Sequence, residues 1–155
     1  MKRYRFPLES ALRWRSHLRD LEEAALERLR GELDALRAGR AGLEAEWADA
    51  AGALLRPGGR AEAADLAALD QFRRHVERQK RILAGRLEDC RLRIASQRQR
   101  VIEARRRAEL LDKLKDQGSA SWRSEMERAE RLESSDLYLA RWPRPARAEK
   151  RPRSG

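Results

Sequence analysis

The chain has 155 residues and a net charge of +10; 40% of its residues are charged and only 5% are aromatic. A composition dominated by Ala, Glu, Leu and Arg belongs to long helices, and it leaves too little apolar bulk for a thick core or an enclosed catalytic pocket. The fold class it predicts is all-α: a long antiparallel two-helix coiled-coil hairpin with an overhanging C-terminal helix and a disordered basic tail.

The start, Met1 to Leu8, carries positive charge with no apolar run behind it, so it does not read as a secretory signal. The first helix is expected from about 7 to 55, opening at Phe6-Pro7, because proline's missing N–H costs nothing in a first helical turn. Its apolar stripe begins with Leu8, Leu12, Leu18, Leu21 and Ala25. It continues through Leu26, Leu29, Leu33, Leu36, Leu43, Trp47, Ala50 and Leu54, with Arg40 as the polar intruder. Arg56-Pro57-Gly58-Gly59-Arg60 is the strong break in the interior and predicts a tight turn.

The second helix is expected from about 61 to 140. Phe72, Val76, Gln79, Leu83, Leu87, Cys90, Ile94, Gln97, Val101, Ala104, Ala108 and Leu111 form its seam. An apolar repeat of 3.5 residues keeps one face of a helix turned toward a partner helix. A connection as short as 56–60 forces the two helices antiparallel, with residue i facing roughly 116 minus i. Leu8 should then lie near Ala108 and Leu12 near Ala104. Beyond about Asp116 the second helix has no partner in the first. Trp122, Met126, Ala129, Leu132 and Leu137 therefore fall on a single-helix overhang, weakened at Gly118 and Ser119. Pro143 and Pro145 end it, and 144–155 reads as a disordered Pro/Arg-rich tail behind one hairpin domain, 1–143.

The charges are unevenly placed. Residues 20–55 sum to −5 and residues 73–107 to +9, which favours pairing of these two helices with each other. Residues 1–19 and 141–155 each sum to +5. Basic ends of this kind suit nucleic acid, an anionic membrane or an acidic protein surface. Cys90 is the single cysteine and lies on the seam, so no intramolecular disulfide can form and a reducing compartment is expected. The apolar runs are too short to span a membrane. The expected location is cytoplasmic.

Little here carries chemistry. His17 and His75 stand at no ligand spacing from another His or Cys and read as solvated helix residues. Cys90 is a small core filler. Gly58-Gly59-Arg60 lacks the Lys-Ser/Thr of a phosphate loop and follows no strand. The carboxylates alternate with arginines, as a solvated helix flank requires. No catalytic residue, metal, cofactor or small-molecule substrate is expected. Among the tryptophans, Trp47 falls on the seam, and Trp14, beside it, suits packing and partner contact equally. Trp122 and Trp142, on the overhang among arginines, read as partner contacts.

Three stretches carry a resemblance. Tyr4-Arg5-Phe6-Pro7-Leu8-Glu9, followed by Leu12, Arg15 and an acidic Leu/Ala-rich helix, resembles the N-terminus of the flagellar type III export protein FliJ family. Val101-Ile102-Glu103-Ala104-Arg105-Arg106 leading into Glu109-Leu110-Leu111-Asp112-Lys113-Leu114-Lys115 is the second stretch. The third is Trp122-Arg123 with Glu125, Arg128, Glu130 and Asp136. The family often ends in an Asp-Glu pair before a small residue; here Leu137 follows Asp136.

The resemblance implies a non-enzymatic stalk of the flagellar protein export machine. Such a stalk enters the pore of the hexameric export ATPase, promotes its assembly and activity, and links it to the membrane export gate. It also associates with export chaperones and sits at the cytoplasmic face of the inner membrane at the flagellar base. By resemblance the end carrying the chain termini enters the ATPase ring. That assigns Phe6, Leu8, Arg13, Arg15, Arg105, Arg106, Lys113, Lys115, Trp122 and Arg123 to the ATPase end. Phe72, Val76 and Leu83 correspond to the family's gate-facing positions, and they fit the seam equally well. The equivalent stalk of a virulence type III secretion system is an alternative, as is a basic coiled-coil nucleic-acid-binding or scaffold protein. No nucleic-acid partner is expected, because no zipper-type basic region precedes a parallel heptad array and no aromatic platform is evident.

Overall fold

The computed structural model describes residues 3–142; the expected tail and its prolines, Pro143 and Pro145, lie outside the described residues. Two helices make up the structure, α1 (Glu9–Leu54) and α2 (Ala63–Arg141), with no strand among the described residues. The all-α expectation holds. No helix among the described residues is long and apolar enough to cross a membrane.

Local chemistry sets the helix ends. Pro7 does not open α1 as expected. Pro7 and Leu8 form a turn in which the Glu9 N–H donates to the Phe6 carbonyl at 3.3 Å, and the helix begins at Glu9. Proline holds φ near −65° and so favours the second position of such a turn. Residues 3–6 consequently remain non-helical.

The break after α1 is a turn of the kind the sequence predicts. The Gly59 N–H donates to the Arg56 carbonyl at 3.0 Å. Gly58 lies at φ +86°, a left-handed conformation that glycine adopts without steric cost. The start of α2 is fixed by Asp65, whose carboxylate accepts the Glu62 N–H at 3.2 Å. A side chain three residues into a helix that reaches back to the capping N–H is half of a capping box. Residues 59–62 thus stay outside the helix, and α2 starts two residues later than expected.

The chain divides into two compact units, one of residues Ser10–Leu110 and one of residues up to Glu9 together with those from Leu111 onward. In the first, α1 and α2 run antiparallel. Trp47 meets Phe72 with ring centroids 6.3 Å apart, the Cys90 thiol donates to the Leu29 carbonyl at 3.5 Å, and the Gln97 amide donates to the Glu22 carbonyl at 3.0 Å. The numbers of these paired residues add to 119 at all three points, against the 116 expected. The later start of α2 moves the register in that direction. Leu26, Cys90, Ile94 and Val101 form the buried cluster, flanked by Leu29, Leu33 and Leu36.

The seam of α2 is the one read from the sequence: Val76, Leu87, Cys90, Ile94, Gln97, Val101 and Ala108 are all buried. The stripe of α1 holds except at Leu8 and Leu21, and polar residues join it. Leu21 is 51% exposed, whereas Arg15, Ser16, Arg19, Glu22 and Glu23 are half-buried. Leu21 stands nine residues from Leu12, about two and a half helical turns, and so points the opposite way. Between Leu12 and Leu26 the face that α1 offers to α2 is therefore largely polar, and Gln97 answers it by bonding both the carbonyl and the carboxylate of Glu22. Ion pairs flank the seam, Glu44–Lys80 at 2.9 Å, Glu32–Arg93 at 3.1 Å and Glu23–Arg105 at 2.7 Å. Solvent screens exposed pairs of this kind, so they guide pairing more than they stabilise it.

Candidate partner-binding surface

The second unit holds Tyr4–Glu9 from the first stretch singled out above, Leu111–Lys115 from the second, and the third from Trp122 to Asp136. Because the Pro7 turn releases residues 3–6 from helical geometry, they can lie against α2. Tyr4 reaches Trp122, with ring centroids 6.3 Å apart and planes inclined at 45°. Its hydroxyl sits over Gly118, where an added Cβ would lie 2.0 Å from the phenolic oxygen and 3.0 Å from the ring carbon bearing it. Gly118 therefore makes the hole that Tyr4 fills. In the same unit Lys115 pairs with the Glu9 carboxylate at 2.9 Å.

This arrangement corrects the expected overhang. Lys115, Gly118, Trp122 and Met126 are half-buried, extending the seam of α2 in steps of three and four residues past the point where α1 begins. Trp122 has a partner after all, though that partner is a non-helical segment. From residue 127 to Trp142 every residue is exposed.

Tyr4 and Trp122, with Arg3, Arg123, Met126, Glu127 and Glu130, line a groove of about 620 Å³. Its lining combines two aromatic rings and a thioether with charges of both signs. Arg123 is held over one wall by donating to the Ser119 carbonyl at 3.4 Å and hydroxyl at 3.3 Å. Aromatic, methionine and arginine side chains are the residue types enriched in protein-interface patches.

The other expected site residues fall as follows. In this unit Phe6 is half-buried, Leu8 is 45% exposed and Lys113 is exposed. In the Ser10–Leu110 unit Arg13 and Arg106 are exposed, Arg15 is half-buried beside Leu18 and Arg100, and Arg105 is engaged by Glu23. Phe72 lies between Trp47 and His75, with centroids 6.3 and 6.5 Å away. Val76 is 4% exposed and Leu83 half-buried. Of the three gate-facing positions, Val76 therefore belongs to the seam and offers no surface, because α1 covers it. Trp14, which suited either role, is 59% exposed and lies beside His17.

Two site residues escape the sequence reading. Gly118 reads there as a weak point of a helix, and Tyr4 only as part of a motif. The signal that marks them is the spacing Leu111, Lys115, Gly118, Trp122, which continues the seam without interruption. Among the described residues no group of His, Cys, Asp and Glu is arranged to hold a metal ion. No known family model matches the chain, and no curated protein or solved structure is detectably similar to it.

Proposed function

We propose that the chain is a non-enzymatic coiled-coil stalk of the bacterial flagellar type III export apparatus. On this reading its knobs-into-holes seam holds α1 and α2 together as a rigid hairpin. The surface around Tyr4, Lys115 and Trp122 binds the hexameric export ATPase and promotes its assembly and activity. The protein couples that ATPase to the export-gate membrane protein, associates with export chaperones, and works at the cytoplasmic face of the inner membrane.

The observation that supports this most is a juxtaposition. The first of the stretches that carry the family resemblance is far in sequence from the other two, yet Glu9 pairs with Lys115 at 2.9 Å and Tyr4 meets Trp122 with ring centroids 6.3 Å apart. Residues from all three stretches thus meet on one surface. Adding the purified protein to the flagellar export ATPase should raise both hydrolysis and ring formation, and Trp122→Ala should weaken both effects. Unchanged hydrolysis and ring formation at saturating protein overturn the reading.

A further inference from the structure

We propose that the flank of the seam along Arg86, Arg93, Arg100 and Arg107 is a docking groove for an acidic amphipathic helix of another protein. The groove lies wholly in the Ser10–Leu110 unit and does not rest on the export-stalk reading. Each of these arginines stands one position before a seam residue, Leu87, Ile94, Val101 or Ala108, which gives one guanidinium per heptad. Three hollows of about 480, 380 and 150 Å³ follow one another beside this row. The first two share Glu32 and Arg93, and the last two share Arg100, so they join into one groove. From Arg86 to Arg107 it runs about 30 Å, three heptads of helix. Leu18, Ala25, Leu29 and Leu36 line it and are only half-buried, so an apolar strip stays open along its length.

Six arginines and four carboxylates line the groove. Arg93 pairs with Glu32 at 3.1 Å, Arg107 pairs with Glu103, and the Glu22 carboxylate is taken by the Gln97 amide. The side chains of Arg15, Arg28, Arg86 and Arg100 have no ion-pair or hydrogen-bond partner among the described residues, and Asp89 is the one carboxylate of the groove left so. Like charges come here from both helices. Arg28 shares a hollow with Arg93 and Arg100, and Arg15 shares another with Arg100 and Arg107. Such a meeting opposes helix pairing, and on the other flank Glu23 meets Arg105 instead. Further along α1, Arg30, Arg37 and Arg40 each have a carboxylate partner, whereas Arg28 has none. Arginine at these positions weakens the hairpin and leaves the groove positive, a local cost that surfaces kept for a partner carry.

Periodicity selects a helix as the occupant. A helix with a carboxylate in every heptad repeats at about 10.5 Å, as the arginine row does, and its apolar stripe covers the open strip. A phosphate polymer would meet the arginines and leave that strip wet. A second copy of this chain fits poorly, because its own heptad row of carboxylates, Asp20, Glu27 and Asp34, is already engaged by Arg19, Arg30 and Arg37.

The probe is a labelled synthetic peptide about three heptads long, with Glu flanking a Leu/Ala stripe, titrated with the full chain by fluorescence anisotropy. It should bind at least about fivefold more tightly than a peptide of the same composition whose Glu residues are moved off the heptad register, and binding should weaken as salt rises. Arg28→Glu and Arg100→Glu should each weaken binding at least about fivefold. Arg28→Glu should do so without lowering the thermal midpoint, because it removes like charge from the flank. Arg98 is exposed on the opposite flank, so Arg98→Glu makes the same change in net charge and should bind as the parent does. Equal affinity for the two peptides, equal losses from Arg98→Glu and Arg100→Glu, or a lowered midpoint in the Arg28→Glu chain overturns the proposal. Self-association in sedimentation that Arg100→Glu abolishes also overturns it and assigns the groove to a second copy. Inorganic polyphosphate or duplex DNA that displaces the peptide at lower concentration than unlabelled peptide does assigns it to a phosphate polymer and overturns it too. Peptide binding and ATPase stimulation are separate readouts, so either can fail alone.

Discussion

The Tyr4 hydroxyl occupies the space above Gly118 that any side chain at that position would need, since a Cβ there would lie 2.0 Å from it. Gly118→Ala thus opposes two effects. Alanine improves helix propensity by about 1 kcal/mol, but it also pushes the phenol out of its hole and away from Trp122. The expected result is a helix at least as stable with Trp122 more exposed. With Trp122 as the sole tryptophan, acrylamide quenching should rise in the Gly118→Ala chain while its circular dichroism holds. Unchanged quenching would show that Tyr4 does not rely on that hole.

Burial separates residues that composition treats alike. Ile94 is 6% exposed and Leu92 is 62% exposed, two positions apart on the same helix. Ile94→Ala should cost about 2–4 kcal/mol, because it removes contacts on both helices and leaves a cavity. Leu92→Ala should cost less than about 0.5 kcal/mol. Urea unfolding followed by circular dichroism measures both, and equal losses would contradict the register described above.

Gln97 is 8% exposed and bonds Glu22 across the seam. A polar side chain buried at one seam position specifies register at a cost in stability. Gln97→Leu is therefore expected to raise the thermal midpoint while loosening the choice of partner, with dimers or larger species appearing in light scattering. A variant that is less stable and still uniformly monomeric would refute this role.

Acid should weaken the seam's flanks. The hydrogen bond and charge of Lys80 hold the Glu44 carboxyl below its ordinary value of 4.5, and the hydrogen bond from Arg73, with the charge of Arg74, does the same for Asp70 below 3.8. A carboxyl whose pKa is lowered on folding contributes stability that is complete above its unfolded value and is lost as pH falls through the folded one. Stability should accordingly decline below about pH 4.5. Lys80→Gln should flatten part of that decline in thermal melts taken across the acid range. An acid limb identical in parent and variant would exclude the Lys80–Glu44 pair as a contributor.

The seam of α2 was legible from its spacing, since Val76, Leu87, Ile94, Val101 and Ala108 are apolar at intervals that a helix turns to one side. The turn was legible as well, because Pro57 fixes φ near the value a turn uses and Gly58 can adopt the left-handed conformation the turn needs. The candidate site was harder to read. Lys115, Gly118 and Trp122 share no chemical type, and what unites them is a segment more than a hundred residues earlier in the chain.

The amino-acid sequence by itself determined two helices, the break between them and the buried face of the second, because these follow from local propensity and from spacing along one chain. Tertiary structure decided the rest. It set the register three residues from the expected value, turned Leu21 to solvent while drawing Arg15 and Glu22 inward, and laid Tyr4 into the hole at Gly118. Each of these depends on where two distant stretches meet, and a small difference at a helix start is carried along the whole length of the pairing.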